Sequence, residues 1–317
     1  MRIVHFLGFP GVALPPSLQA FTDLEFVAAS SAASFLDLAT RADAIVLSSP
    51  SYTPAVAALL ARPGNTVRWI HFASAGYETA GEFGVPAGIR VTNSSLAWAP
   101  IVAEHSVALL LALCRRLPDL ERDRQLARWE RGPHQAGLRA LETMTVGILG
   151  YGAIGKEIGK RLAGFGCRSI AIVRRDQETP HATPARLAAA LPIIDALLVT
   201  LPLSATTRGL IGAPEIMAMK RGAFLINVGR GGPVDQAALI AALRGGHLAG
   251  AALDVFEPEP PPGDDPVWTA PNLIVSPHLA GFGGGAGLAR LLELLAENIL
   301  RFRDGRALLN QVDPTRG

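Results

Sequence analysis

The sequence predicts an α/β protein with two domains, each built on a parallel β-sheet. Short apolar strands alternate with helical segments along the chain, which is the pattern of βαβ units and therefore of parallel sheets. One of these strands leads directly into a glycine-rich turn and a helix, and the 317 residues exceed the length of one typical domain. We therefore expect two Rossmann-like or flavodoxin-like domains with the active-site cleft between them.

The first domain is expected to be discontinuous, comprising residues 1–97 and 285–317. Its predicted strands are short apolar runs: Ile3–Phe6, Glu25–Ala28, Ala44–Leu47, Val67–Phe72 and Ile89–Val91. Its predicted helices are Ala32–Thr40, Pro54–Ala61 and, near the C-terminus, Ala286–Phe302. The turn Ser74–Tyr77 follows the fourth strand, and open parallel sheets bind ligands beyond the carboxyl ends of their strands. A plain connecting turn is almost as good an interpretation of this segment.

The second domain is expected to comprise residues 98–284. Pro100 is predicted to open a long amphipathic helix, Ile101–Leu117, which Pro118 ends, and a polar helix follows around Asp119–Trp129. The predicted strands are Met144–Leu149, Ser169–Val173, Ala196–Thr200, Ala223–Val228, Ala249–Val255 and Leu273–Val275. The predicted helices are Ala153–Leu162, Ala185–Leu191, Pro214–Met219 and Gln236–Leu243.

The composition is that of a compact enzyme. Hydrophobic residues make up 49% of the chain and charged residues 18%, which argues against disorder, and a net charge of +2 argues against nucleic acid as a partner. Cys114 and Cys167 lack the spacing of a metal site, so we expect free thiols and no metal. The N-terminal sequence has no signal-peptide pattern, and the apolar run Ser106–Leu113 is too short to span a bilayer. We expect a cytoplasmic protein without a membrane partner.

The glycine-rich turn is a G-x-G-x-x-G between a predicted strand and a predicted helix. Gly150 allows the tight turn, Gly152 leaves room for a phosphate, and Gly155 lets the helix pack closely on the strand. The N–H groups of the first helical turn and the helix dipole then bind a pyrophosphate. A glycine-rich turn without a ligand is the alternative, but the strand-to-helix context favours a dinucleotide site.

The residues after the next strand favour a phosphorylated dinucleotide. An NAD-binding unit carries an Asp or Glu about 20 residues beyond the glycines, where it accepts from the ribose 2′-OH. Here the strand is followed by Arg174 and Arg175, whose guanidinium groups suit a 2′-phosphate. NADP(H) is therefore predicted in preference to NAD(H). Two alternatives remain: the arginines are solvated loop residues, or Asp176 serves the ribose after a shift of one residue.

Three polar residues follow strands of the second domain. Arg230, Glu259 and His278 all fall at the carboxyl edge of the predicted sheet, on the side of the pyrophosphate. A guanidinium binds a carboxylate bidentately, an imidazole moves a proton, and a carboxylate holds the imidazole and favours its charged form. Each residue alone also has an ordinary structural interpretation, as a helix cap, a solvated loop residue or a structural hydrogen-bond donor.

Five motifs in a fixed order make the chain similar to the D-isomer-specific 2-hydroxyacid dehydrogenase family, in particular to its glyoxylate/hydroxypyruvate reductases. They are Val146–Gly155, Leu201–Gly212, Met219–Asp235, Gly250–Pro260 and Asn272–Gly281. The spacing of Arg230, Glu259 and His278 also agrees with the family. The resemblance implies reversible hydride transfer between nicotinamide C4 and C2 of a small 2-oxo acid such as glyoxylate or hydroxypyruvate, giving a D-2-hydroxy acid.

The resemblance also implies individual roles. Arg230 binds and polarises the oxo acid, His278 is the acid/base, and Glu259 tunes His278. Backbone N–H groups of Ala75 and Gly76 help to hold the substrate carboxylate, and Asp254 lies near the nicotinamide. With Arg230, His278 and the residues already given, the implied cofactor contacts include Ala153, Ile154, Leu201, Pro202, Thr207, Val228 and Gly229.

Two departures from the family pattern leave the substrate open. Gly283 stands where the family often has a threonine, and Leu96 stands where a glycine is usual. Relatives are usually dimers, and the apolar Ile101–Leu113 helix is a candidate for the contact between copies. The competing functional class is a dinucleotide-sensing, corepressor-like binding protein without physiological turnover.

Overall fold

The predicted α/β class is confirmed by a computed structural model, which describes residues 1–7, 18, 19, 21–175 and 177–316. The chain divides into two compact units, Met1–Trp98 with Gly284–Gly317, and Ala99–Gly283. Each unit has its own β-sheet, and every strand pair within the two sheets is parallel.

The strands alternate with helices in both units. The strands are β1 (Arg2–Phe6), β2 (Glu25–Ala28), β3 (Ala44–Leu47), β4 (Trp69–Phe72), β5 (Arg90–Asn93), β6 (Thr145–Leu149), β7 (Arg168–Ile172), β8 (Thr183–Ala185), β9 (Ala196–Val199), β10 (Phe224–Asn227), β11 (Gly250–Leu253) and β12 (Leu273–Val275). The helices are α1 (Ala32–Ala39), α2 (Pro54–Leu60), α3 (Glu78–Phe83), α4 (Ser95–Cys114), α5 (Leu117–Gln125), α6 (Gly132–Gln135), α7 (Ala153–Ala163), α8 (Leu187–Ala190), α9 (Ala213–Ala218), α10 (Gln236–Arg244) and α11 (Ala286–Arg303).

The sheet of the first unit has the strand order β2-β1-β3-β4-β5. All residues of β3 and β4 are buried, as expected for central parallel strands that are covered on both faces. One face packs against Phe35 and Tyr52. The other face carries Trp69 and packs against the C-terminal helix α11, including Leu291 and Ile299, which ties the end of the chain to this unit.

The sheet of the second unit has the strand order β12-β11-β10-β9-β6-β7-β8. Strands β9, β10 and β11 are buried throughout, which explains why their sequences read as continuous apolar runs rather than alternating ones. Because all seven strands run in the same direction, the turns that follow them meet at one edge of the sheet. Every candidate cofactor or catalytic residue of this unit follows the end of such a strand.

Several predicted helices were wrong in their bounds, most clearly at the prolines. Pro100 lies inside α4, five residues after its start, because buried Ala99 before it and buried Val102 after it stabilise the helix on both sides of the missing N–H. Pro118 does not end a helix but occupies the first turn of α5, where a missing N–H costs no hydrogen bond. The polar helix is also shorter than predicted, since α5 ends at Gln125.

The predicted helix Ala185–Leu191 is present but starts two residues later: Leu187–Ala190 is α-helical and Leu191–Ile193 continues as a 3-10 helix. Thr183–Ala185, just before it, pairs with β7 as the edge strand β8, which was not predicted. Helices α3 and α6 were not predicted, whereas the other predicted bounds agree within two residues. The predicted apolar run, Ser106–Leu113, is also shorter than the apolar helix in the structure. The 20-residue helix α4 is long and apolar enough to cross a membrane, judged by length and composition alone. Half of the most apolar stretch of this helix is buried within the protein. Core helices of soluble proteins can have the same length and composition, so α4 is weak evidence for a membrane span.

Candidate active site

The glycine-rich turn joins β6 to α7 in the form that a pyrophosphate needs. Gly150 has φ +94°, a conformation that favours glycine. A Cβ at Gly155 would lie 2.3 Å from the carbonyl oxygen of Gly150, so this glycine serves the packing of helix on turn. A Cβ at Gly152, by contrast, would meet no described atom within 4 Å. The space beside Gly152, next to the N–H groups of Ala153 and Ile154, fits a phosphate at the helix N-terminus.

The end of β7 carries two exposed guanidinium groups, those of Arg174 and Arg175. Nη1 of Arg174 lies 3.2 Å from Oγ1 of Thr206, which is in turn 3.2 Å from Oγ of Ser204. Guanidinium and hydroxyl donors therefore converge here, as a phosphate monoester requires. The competing hypothesis rests on Asp176, which lies outside the described residues.

The turn after β9 packs against the turn after β10. A Cβ at Gly229 would lie 2.5 Å from the carbonyl oxygen of Leu201, so the two backbones touch. Thr207, which the resemblance assigns to the cofactor, is buried and donates its hydroxyl to the Pro202 carbonyl at 2.7 Å. Thr207 also accepts from the N–H of Ser204 at 2.8 Å, so its hydroxyl builds the turn itself.

The turn that carries Arg230 is shaped by Asn227, the last residue of β10. Asn227 is buried, and its side chain donates to the Arg230 carbonyl at 2.8 Å and accepts from the Gly229 N–H at 3.1 Å. Arg230 itself is partly buried, and its Nη1 donates to the Gly229 carbonyl at 2.8 Å. Sequence reasoning missed Asn227, although a polar residue at the end of an apolar strand was a usable signal.

Glu259 and His278 form the pair that the sequence predicted. Nδ1 of His278 lies 2.8 Å from Oε2 of Glu259, and the N–H of Phe256 donates to Oε1 of the same carboxylate at 2.8 Å. The carboxylate therefore holds Nδ1 as a donor, which leaves Nε2 as the atom that can exchange a proton with a substrate. The His278 side chain is half exposed, as a proton carrier must be, and its backbone has φ +54°.

Asp254 is completely buried beneath His278. Its carbonyl accepts from the His278 N–H at 2.9 Å, and its carboxylate accepts from the N–H groups of Leu279 and Ala280 at 2.8 and 3.0 Å. The hydroxyl of Ser276 also donates to this carboxylate. Burial raises the pKa of Asp254, but hydrogen bonds from His105, Ser276 and the two N–H groups outweigh it and lower that pKa overall. Asp254 thus fixes the turn that carries His278.

His105 on α4 is a further residue of this network that sequence reasoning missed. Its Nε2 lies 3.2 Å from Oγ of Ser276 and 3.5 Å from Oδ1 of Asp254. Because the Ser276 hydroxyl donates to Asp254, Nε2 of His105 is the donor to Ser276. The only signal in the sequence was a histidine within an apolar helical run.

In the first unit, the turn Ser74–Gly76 follows β4 and presents two backbone donors. The carbonyl of Ala75 accepts from Nδ2 of Asn93 at 2.7 Å, and the carbonyl of Gly76 accepts from the Ser74 hydroxyl at 2.7 Å. Neither the N–H of Ala75 nor that of Gly76 has an acceptor in the described part of the chain, and Gly76 is buried. Two unpaired N–H groups in adjacent residues suit a carboxylate.

The two departures from the family pattern have different surroundings. A Cβ at Gly283 would lie 2.9 Å from Cγ2 of Ile101, so a larger residue fits there only if Ile101 moves. Leu96 is half exposed at the start of α4. Within the described ranges, no group of three or more His, Cys, Asp or Glu side chains could hold a metal ion.

Comparison with known proteins decides the family. The family profile described as "D-isomer specific 2-hydroxyacid dehydrogenase, NAD binding domain" matches residues 107–280. This chain belongs to the D-isomer-specific 2-hydroxyacid dehydrogenases. It is an NAD(P)-dependent dehydrogenase, its cofactor is a nicotinamide dinucleotide, and its substrates are small 2-oxo or 2-hydroxy acids. The predicted enzyme class is confirmed, and no finding favours the corepressor-like alternative.

Individual relatives extend this match over most of the dehydrogenase. A glyoxylate reductase from Korarchaeum cryptofilum is 35% identical over 232 residues, covering 71% of this chain and 70% of the relative. A solved D-isomer-specific 2-hydroxyacid dehydrogenase from Xanthobacter autotrophicus, in complex with NADPH and MES, superposes with a TM-score of 0.81 at 28% identity and covers 99% and 98% of the two chains. An NADPH-dependent glyoxylate/hydroxypyruvate reductase from Sinorhizobium meliloti has the same fold, with a TM-score of 0.84 at 24% identity over 99% of each chain.

Proposed function

We propose that this dehydrogenase reduces glyoxylate, hydroxypyruvate and similar small 2-oxo acids to D-2-hydroxy acids, with NADPH as the preferred reductant. The observation that carries the proposal is the hydrogen bond of 2.8 Å between His278 and Glu259, which stands with Arg230 at neighbouring strand ends. The choice of substrate is supported by the similarity to a glyoxylate reductase. The physiological oxo acid is then one whose substituent at C2 is small.

In this mechanism the side chains bind, orient and protonate. Arg230 binds the substrate carboxylate through its planar fork and polarises the C2 carbonyl. His278 donates the proton on Nε2 to the C2 oxygen as that oxygen gains negative charge. Glu259 holds Nδ1 and stabilises the positive charge of the imidazolium before transfer. A nicotinamide, when bound, would supply the hydride that reduces C2.

The first unit supplies the remaining substrate contacts in this proposal. The N–H groups of Ala75 and Gly76 donate to the substrate carboxylate, because they are adjacent donors that the described part of the fold leaves unpaired. Residues 1–97 and 285–317 then form the substrate-binding domain, and residues 98–284 form the dinucleotide-binding domain.

The preference for NADPH rests on the end of β7. Arg174 and Arg175 are exposed, and Arg174 lies beside the hydroxyl of Thr206, so three donors can surround a 2′-phosphate. A ribose without the phosphate would meet guanidinium groups instead of the acceptor that its 2′-OH needs. The cofactor-binding residues in this proposal are those predicted from the sequence, with Thr207 and Asp254 acting through the turns that they hold.

We further propose a cytoplasmic homodimer. Large apolar side chains of the segment after α4 are exposed, among them Leu117, Leu126 and Trp129, of which the last is 88% exposed. A second copy of the chain would cover such a surface. The predicted contact, Ile101–Leu113, is a weaker candidate, because Val102, Val107, Leu109, Leu110 and Leu113 are buried within the chain itself.

The test is an assay of the wild-type protein with a panel of 2-oxo acids, each with NADPH and with NADH. Turnover is measured as the loss of absorbance of the reduced nicotinamide. We expect turnover with glyoxylate and hydroxypyruvate, a higher kcat/KM with NADPH, and the D-isomer as the product of hydroxypyruvate. Absence of turnover with every oxo acid would contradict the proposed function. Turnover with a higher kcat/KM for NADH would contradict only the cofactor preference.

A further inference from the structure

We propose that Asn310, near the C-terminus, is a positioning residue for the substrate carboxylate. It acts through Asn93, which orients the turn Ser74–Gly76. The inference rests on the proposed function, because it assigns substrate binding to the N–H groups of Ala75 and Gly76. The hydrogen bonds of Asn310 go to Asn93 and Ser95 rather than to the turn, so its effect is transmitted.

The end of β5 fixes the direction of both donor groups. A peptide unit is planar, so the carbonyl of one residue and the N–H of the next point in opposite directions. Nδ2 of Asn93 holds the Ala75 carbonyl at 2.7 Å and thereby sets the direction of the Gly76 N–H. The N–H of Ser94 holds the Ser74 carbonyl at 3.0 Å and sets the direction of the Ala75 N–H in the same way.

Asn310 holds this end of β5 from the other side. Its Nδ2 lies 2.9 Å from the carbonyl oxygen of Asn93, 2.6 Å from Oδ1 of Asn93 and 2.8 Å from Oγ of Ser95. Its carbonyl accepts from the Asn93 N–H at 3.2 Å. The two residues are 217 positions apart in the sequence, so the C-terminal segment contributes to a turn near the start of the chain.

The contact with Oδ1 determines which way the Asn93 amide faces. An amide has one accepting end and one donating end. Because Asn310 donates to Oδ1, Nδ2 is the end that faces the Ala75 carbonyl. The Ser95 N–H also reaches Oδ1, but at 3.4 Å it is the weaker donor. Without Asn310, the amide of Asn93 loses its strongest orienting contact, and the Gly76 N–H loses its fixed direction.

Asn310 can be changed without disturbing its backbone. Its φ is +57°, a conformation that glycine adopts more easily than asparagine, so Asn310→Gly removes the amide and keeps the main chain. Asn272 provides the matched control, because it has φ +54°, is exposed and lies in the other unit. Asn93→Asp is the second test variant: it replaces the donor that faces the Ala75 carbonyl with an oxygen that repels it.

The experiment measures KM and kcat for glyoxylate, the Kd of NADPH and the Tm of the wild type and the three variants. For Asn310→Gly we expect KM to rise roughly 10-fold, the size of losing one hydrogen bond to a charged group. We expect kcat to change less than about 3-fold, with NADPH binding unchanged. Asn93→Asp should raise KM further, and Asn272→Gly should match the wild type. The inhibition constant of oxalate, a carboxylate that cannot be reduced, should rise in parallel with KM.

Three results would overturn the inference. An Asn310→Gly variant with wild-type KM and oxalate inhibition would refute it while the proposed function stands. A joint loss of kcat, NADPH binding and Tm would show that Asn310 supports the fold in general rather than the turn. A wild type without turnover would refute the proposed function, and the inference would fall with it.

Discussion

Oε2 of Glu259 lies 2.8 Å from Nδ1 of His278, while the other oxygen of the same carboxylate accepts from the Phe256 N–H. The carboxylate is therefore fixed at both oxygens, and it holds the imidazole in one orientation. Glu259→Gln should lower kcat for oxo-acid reduction, because an amide cannot accept from Nδ1 and from the Phe256 N–H with two oxygens. Steady-state rates with glyoxylate would check this, with Glu257→Gln as a control on the same loop. An unchanged kcat would mean that Glu259 does not position His278.

Gly152 and Gly155 of the dinucleotide turn should respond differently to substitution by alanine. Gly152→Ala places a methyl group in space that no described atom occupies, so Tm should stay within about 2 °C while the Kd of NADPH rises about 10-fold or more. Gly155→Ala places it 2.3 Å from the Gly150 carbonyl oxygen, so the fold itself should be destabilised. Calorimetry and cofactor fluorescence would separate the effects, and tight NADPH binding by Gly152→Ala would exclude a phosphate at that position.

Much of the architecture could be predicted because its causes are local. Central strands such as β9 are apolar throughout, since both faces are covered, and Gly150 needs a conformation that few other residues adopt. The edge strand β8 forms because it pairs with β7, and its sequence of three residues has no pattern that predicts a strand.

The supporting polar residues could not be predicted for a related reason. His105 acts on Ser276, which is 171 residues away, and only the fold brings the two together. Asn93 and Asn310 likewise read as ordinary turn residues, because each partner lies in a distant part of the chain.

The arginines after β7 give the third prediction. Arg174→Ala/Arg175→Ala should lower kcat/KM for NADPH by about 10- to 100-fold, because each guanidinium contact with a phosphate contributes about 1.5–3 kcal/mol. The value for NADH should change little. Steady-state kinetics with both cofactors would check this, and Arg168→Ala, at the start of the same strand, is the control. If the double variant retains the wild-type preference for NADPH, that preference depends on residues other than Arg174 and Arg175.

His105 gives the fourth prediction. His105→Leu keeps much of the side-chain volume but removes the donor to Ser276, so kcat should fall several-fold while the Kd of NADPH stays unchanged. His105→Gln retains an N–H donor and should recover most of the lost rate. If His105→Leu and Ser276→Ala lower kcat by fully independent factors in a double-mutant cycle, the two residues do not act through one network.

His71 gives a prediction for stability against pH. It is fully buried between the hydroxyls of Thr92 and Ser94, at 2.7 and 2.9 Å, and burial lowers its pKa from 6.5 to about 3. Between pH 6.5 and about 3, His71 is therefore protonated in the unfolded chain but neutral in the folded chain. The free energy of unfolding is unaffected by this residue above about pH 6.5. It decreases as the pH falls toward 3, with a slope of at most about 1.4 kcal/mol per pH unit.

His71→Gln removes this titration while keeping an amide that can bond the two hydroxyls. The variant will be less stable than the wild type at neutral pH, but its free energy of unfolding should fall less between pH 7 and 5. Urea titrations at both pH values measure the difference. Equal losses for the two proteins would show that other groups cause the decline in acid.

The left-handed backbone of His278 sets folding stability against the proposed proton transfer at one residue of this chain. A side chain at φ +54° costs about 1–3 kcal/mol, and the hydrogen bonds of Asp254 to the same turn hold it there. A glycine at this position would relieve that cost and, under the proposed function, abolish proton transfer at the same time. Activity and folding stability are thus in direct competition at a single residue, and screens that select only for heat resistance will tend to discard the imidazole.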